Sequence, residues 1–174
     1  KSWSDLYNYP NYEIYDTIIS KSEYSGNDLE NLFKWKNGMN LSAKKLNSCN
    51  KNILGKEIEM NHFKKKFDQK EFNTQFFHVS AIWQIFLLHI INHVEFPIFD
   101  QHVYRAFLYF QNKTDHKLPS SKKEILKIYH EEYCEFFFKL KKATGFDSFR
   151  VDKALWTFGK LIKEYPAMKM NKPN

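Results

Sequence analysis

The most continuous hydrophobic pattern in the chain runs from Val79 to His93, where Val79, Ile82, Trp83, Phe86, Leu87, Ile90 and Ile91 recur at helical spacing. The positions between them are nearly as apolar, so the pattern predicts a central helix that touches neighbours on several sides. A shorter run, Phe96, Ile98 and Phe99 around Pro97, reads as extended, because Pro97 fixes its own φ and turns Phe96 away from the α region. Asp100 then stands at an N-cap position ahead of Val103, Phe107, Leu108 and Phe110, which predicts a helix from about Gln101 to Gln111.

Polar punctuation predicts the remaining elements. Residues 1–26, with Tyr7, Tyr9, Tyr12, Tyr15 and Tyr24 interrupted by Pro10 and ended by Gly26, read as a wrapping segment holding at most a short helix around 11–20. Asp28 is placed to cap a helix with Leu29, Leu32, Phe33 and Trp35 inward, stopped by Asn37-Gly38. Ser42 starts another to about Asn50, and Asn52 to Asn61 is weakly patterned. Asn61 to Asn73 is a very polar stretch with Lys64, Lys65, Lys66 and Lys70, and its lysine-rich part at 64–70 reads as a solvated loop anchored to the core by the flanking Phe63, Phe67 and Phe72, with phosphate contact as its functional alternative. After a polar loop from Asn112 to Pro119, Ser120 or Ser121 caps a helix ended by Gly145, with Glu124 completing a capping box if Ser121 is the cap. Phe136, Phe137 and Phe138 around Cys134 belong to the core. A last helix from about Val151 to Lys163 turns Leu155, Trp156, Phe158 and Ile162 inward and stops at Pro166. So little β pattern predicts an all-α fold, a single compact helical domain over 1–174.

Composition narrows the class. Aromatic residues at 18% and hydrophobic residues at 43% exclude a disordered chain. Ser80, Gln84 and His89 interrupt the longest apolar segment, so no membrane span is expected and the chain reads as soluble. It opens at Lys1 rather than a methionine and shows no signal-peptide pattern, so the native start is expected upstream of Lys1. The two cysteines, Cys49 and Cys134, form no Cys-x-x-Cys pair, which removes thiolate zinc and iron–sulfur sites and favours a reducing, cytoplasmic setting. A net charge of +7 favours a polyanionic partner. Lysine supplies nearly all of it, and arginine occurs only at Arg105 and Arg150, which suits contact with a phosphate backbone better than base reading. His89 and His93, one turn apart, would hold a metal if Glu95 or His102 approached. The His-Glu-x-x-His pattern is missing, and a hydrogen-bonded or surface pair is the preferred reading, so neither a metal nor another cofactor is expected.

The segment from the central helix through a proline-containing link to Asp100-x-His102-Val103-x-Arg105 resembles the helix-hairpin-helix DNA glycosylase superfamily, over about Phe76 to Gln111. The resemblance implies that fold, duplex DNA as partner with a nucleotide flipped out of the stack, and Asp100 as the catalytic carboxylate. In that role Asp100 stabilises the cationic sugar left as the base departs. It further implies DNA contacts from His102 and Arg105, with Tyr104, Tyr109, Trp83 or Trp35 available to stack on an extruded base.

The chain departs from the family where the DNA-anchoring hairpin carries two glycines. Here the positions read His78-Val79-Ser80, and Ile82 stands near the place of the imine-forming lysine. The implied chemistry is therefore monofunctional base excision, with His78 and Ser80 at the hairpin and Lys64, Lys65 and Lys66 as phosphate contacts. The alternative is a non-catalytic DNA-binding or interaction module on the same fold, in which Asp100 is only an N-cap and Arg105 forms a structural ion pair.

Overall fold

Capping side chains set the limits of most helices in the computed structural model, which describes residues 2–113 and 117–165. In chain order these are α1 (Tyr12–Ile19), α2 (Gly26–Lys36), α3 (Ala43–Asn52), α4 (Glu57–Lys65), α5 (Gln69–Gln75), α6 (Ala81–Ile91), α7 (Gln101–Phe110), α8 (Lys122–Ile128), α9 (Cys134–Thr144) and α10 (Ser148–Glu164). A 3-10 turn at Trp3–Leu6 precedes them, and a π-turn at Tyr129–Tyr133 joins α8 to α9. No strand occurs among the described residues, as the all-α reading expects. The expected stop at Pro166 and the middle of the loop after Asn112, at 114–116, lie outside the described residues.

The chain divides into two compact units, one made of residues 9–79 and 90–92, the other of residues 1–8, 80–89 and 93–174. In the first unit, aromatic side chains fasten the tyrosine-rich segment. Tyr15 stacks on Trp35 with centroids 4.2 Å apart, and the Tyr9 hydroxyl donates to the Trp35 carbonyl at 2.9 Å. The buried Tyr24 hydroxyl donates to the Ile90 carbonyl at 2.8 Å, and burial raises its pKa well above the ordinary phenol value.

The cap of helix α2 lies three residues before the expected Asp28, at Ser25: Ser25 Oγ accepts the Asp28 N–H at 3.2 Å and the Asp28 carboxylate accepts the Ser25 N–H at 3.0 Å. Asp28 is thus the reciprocal partner, and it also receives Lys21 Nζ at 2.6 Å. The lysine-rich segment 64–70, expected as a solvated loop, keeps only a short turn at 66–68, with α4 running to Lys65 and α5 starting after Asp68, whose carboxylate accepts the Glu71 N–H at 2.7 Å. Its lysines dominate the composition, but Met60 and Phe63, and then Phe72 and Phe76, form two helix-spaced stripes that are buried, and Phe72 packs against both Phe63 and Phe76. Burial of four large apolar side chains outweighs the modest helix propensity of the polar residues around them.

In the second unit, Ile85, Phe86, Leu87 and Leu88 on α6 are all within 1% of complete burial. Four consecutive residues cover the full circumference of a helix, so α6 is enclosed on every side, as its pattern predicts. Asp147 caps α10 by accepting the Arg150 N–H at 2.8 Å, which starts this helix at Ser148 rather than Val151. The 3-10 turn and the residue after it lie along α10, Trp3 against Phe158 and Tyr7 against Trp156, each at 5.3 Å. Gly145 ends α9 with φ of 70°, the left-handed C′ position that glycine adopts most readily.

Replacing Phe86 by alanine should cost about 3–5 kcal/mol of folding free energy, because an enclosed site collapses poorly around the void. Urea unfolding monitored by far-UV circular dichroism would show the midpoint falling with an unchanged slope; a shift below about 1 kcal/mol would contradict the enclosed placement of α6.

Candidate functional site

The approach to Asp100 is built from backbone carbonyls. A non-helical link with buried and half-buried carbonyls must find donors for them, since no regular ladder is available. Three consecutive carbonyls obtain them from side chains. His89 Nδ1 lies 2.7 Å from the Phe96 oxygen, the Tyr129 hydroxyl donates to Pro97 at 3.0 Å, and the Tyr133 hydroxyl donates to Ile98 at 3.1 Å. A carbonyl can only accept, so His89 carries its proton on Nδ1. Burial pushes both phenols well above their ordinary pKa, and the negative charge of Asp152 acts in the same direction on each. They therefore remain protonated donors.

Phe99, 1% exposed, is ringed by Tyr104, Tyr129 and Tyr133 at 4.9–5.7 Å between centroids. Immediately after it, Asp100 caps α7. One carboxylate oxygen accepts the His102 N–H at 2.7 Å and the Val103 N–H at 3.1 Å. A half-buried carboxylate is thus fixed where the partial positive charge of the helix N-terminus is greatest.

Arg105 does not stand in solvent. It is 8% exposed, and its Nη1 donates to the Gly159 carbonyl at 2.8 Å and lies 3.3 Å from His102 Nδ1. Burial pulls the guanidinium pKa down, and the nearby charge of Asp100 opposes that pull. The tie to Gly159 marks the place where α7 and α10 cross backbone to backbone. A Cβ on Gly159 would collide with the His102 carbonyl, lying 2.6 Å from its carbon. The His102 ring faces Trp156 at 5.2 Å, and Asp152, one turn earlier on α10, is buried at 7% exposure. This unit therefore gathers Asp100, His102 and Arg105 from α7 with Asp152, Trp156 and Gly159 from α10.

Other candidate residues occupy separate places. Tyr104 is buried against Phe99 and Phe107. Ser80 caps α6, its hydroxyl accepting the Trp83 N–H at 3.4 Å. In the first unit, Lys64 Nζ donates to the Lys21 carbonyl at 2.6 Å and lies 3.8 Å above the Tyr24 ring, and burial lowers its pKa. Lys65 pairs with Glu23 at 2.6 Å, Lys66 is exposed at the end of α4, and His78 is exposed beside Phe77. Tyr129 and Tyr133 escaped the sequence reading. The visible signal was two tyrosines four residues apart, hence on one face of a helix, each with a hydroxyl that burial obliges to find a partner.

His89 and His93 are occupied by contacts of their own: His89 holds the Phe96 carbonyl, and His93 stacks on Phe149 at 4.9 Å. Among the described residues no group of three or more His, Cys, Asp or Glu side chains is arranged to hold a metal ion. Burial pushes Cys49 and Cys134 each up to about 11, so both are thiols at neutral pH. Among the described residues no helix is long and apolar enough to cross a membrane. In comparisons with protein-family models, curated proteins and solved structures, the chain matches none.

Gly159→Ala should destabilise the protein by about 3 kcal/mol, since separating two backbones costs more than the added methyl returns; an unchanged thermal midpoint would refute the close crossing. Both thiols should react with an aromatic disulfide reagent at pH 8 about a hundredfold more slowly in the native chain than in urea. Equal rates would show that burial does not protect them.

Proposed function

We propose that this chain binds DNA and acts as a monofunctional base-excision N-glycosylase, with Asp100 as its catalytic carboxylate. The observation that supports this most is the independent fixing of Asp100 from both sides. The link before it is held by three side-chain donors, and the carboxylate itself is held by two main-chain N–H groups after it. A carboxylate kept in place beforehand stabilises a developing oxocarbenium charge without reorganising at the moment of bond cleavage. The base leaves with the electrons of the N-glycosidic bond, water adds to the sugar carbon, and the proton lost by water balances that taken up by the departing base. Net positive charge favours the DNA partner. A second reading, a non-catalytic DNA-binding module, has its own support: the Asp100 oxygen already serves the helix cap, and Ser80 caps α6 where the family's hairpin has glycine.

Asparagine caps helices about as well as aspartate, whereas alanine costs about 1 kcal/mol, so substitutions at Asp100 separate charge from capping. Fluorescence anisotropy would compare an intact duplex with one holding a cationic, uncleavable abasic-site analogue. The native chain should prefer the analogue, and Asp100→Asn should lose that preference about tenfold while keeping the helix cap, so that its stability falls less than that of Asp100→Ala, which loses both the preference and the cap. Equal, salt-sensitive binding of the two duplexes by the native chain would assign the module reading. Full preference retained in Asp100→Asn would remove Asp100 from catalysis.

A further inference from the structure

The outward face of α5 holds an open hollow that the chemistry proposed for Asp100 does not use. It has a volume of about 720 Å³, within the range of roughly 300–1,000 Å³ typical of ligand sites, and is lined by Gln69, Lys70, Asn73, Thr74, Phe77 and His78. Phe72, Phe76 and Val79 turn inward from the same stretch and are at most 2% exposed, yet Phe77 stands 69% exposed, its ring edge-to-face with His78 at 5.2 Å. Along the helix Gln69 Nε2 donates a hydrogen bond to Asn73 Oδ1 at 3.1 Å, and Lys70 is exposed on the same helix. No carboxylate is among the six lining side chains.

We propose that this hollow binds an unpaired nucleotide of single-stranded nucleic acid, the base stacking on Phe77 and the adjoining phosphate meeting Lys70. The chemistry selects this occupant. An exposed aromatic ring flanked by a cation and amide side chains meets a base through its π face and a phosphate through charge, without reading sequence. In a duplex the base faces are already covered by their neighbours, so the ring favours a single strand. Neutral apolar ligands have no use for Lys70, and acidic peptides have none for a flat ring beside amides. The site lies wholly in the first unit and uses no residue at the α7–α10 crossing, so it stands whether or not Asp100 is catalytic.

The test is anisotropy of the full chain with labelled oligothymidylate, oligouridylate and an intact duplex, titrated with salt. Phe77→Ala should weaken single-strand binding by about tenfold or more, and Phe77→Trp should retain it. Lys70→Ala should flatten the logarithmic salt slope by about 0.7. Tighter binding of one single strand identifies DNA or RNA as the source of the nucleotide. Asp100→Asn should leave single-strand binding unchanged, and Phe77→Ala should leave discrimination between the intact and analogue-containing duplexes unchanged, so the two functional readings fail separately. Equal affinities of Phe77→Ala and the native chain, with matching circular dichroism spectra, would overturn the proposal, as would no single-strand binding at low salt.

Discussion

Three hydrogen bonds to the carbonyls of Phe96, Pro97 and Ile98 decide where the second unit places its charged residues. Leaving a buried acceptor such as the Pro97 carbonyl without a donor costs about 1–3 kcal/mol, so Tyr129 is a structural requirement of the link, and His89 and Tyr133 hold the part-buried carbonyls on either side of it. Pro97 contributes by fixing its own backbone angle and by having no N–H that would need a partner. Because the link ends at Asp100, the clamp also fixes the start of α7, and through α7 the positions of His102 and Arg105. The π-turn at Tyr129–Tyr133 carries two of the three donors, an instance of an irregular helical turn that aims side chains at a neighbouring segment.

The second constraint is the crossing at Gly159. Its role is a matter of distance rather than of backbone conformation, since the position is helical and a side chain there would strike the His102 carbonyl. At that distance Arg105 reaches the Gly159 carbonyl directly. A buried guanidinium with a main-chain acceptor and a nearby carboxylate charge offsets part of its desolvation cost, which a hydrophobic neighbourhood alone would leave uncompensated. Asp100 therefore acts on this unit in two ways, as a cap and as a charge. A substitution that keeps the cap while removing the charge distinguishes these roles.

Charge is distributed differently in the first unit. Lys64 and Lys65 fasten the segment at Lys21–Tyr24 through a carbonyl, an aromatic ring and a carboxylate, so part of the positive charge serves the fold. The Lys65–Glu23 pair is largely exposed and contributes little stability by itself. Lys70 faces outward on α5 beside Phe77, where its charge is available to a ligand. Cation placement, more than cation number, is what separates a structural lysine from a binding one.

The sequence by itself determined the all-α class, the enclosure of α6, the non-helical link at Pro97 and the capping of α7 by Asp100, because each depends on local periodicity or on one residue's backbone chemistry. It placed the starts of α2 and α10 three residues late, since Ser25 and Asp147 compete as caps with better-patterned neighbours inside the helix. It read 64–70 as loop because lysines masked the two short apolar stripes that flank the turn. The carbonyl clamp and the backbone crossing at Gly159 were decided only by the tertiary structure. Tyr129 and Tyr133 lie more than thirty residues from the carbonyls they hold, and Gly159 is fifty-four residues from Arg105. No periodicity within one helix records which distant acceptor or backbone it must meet.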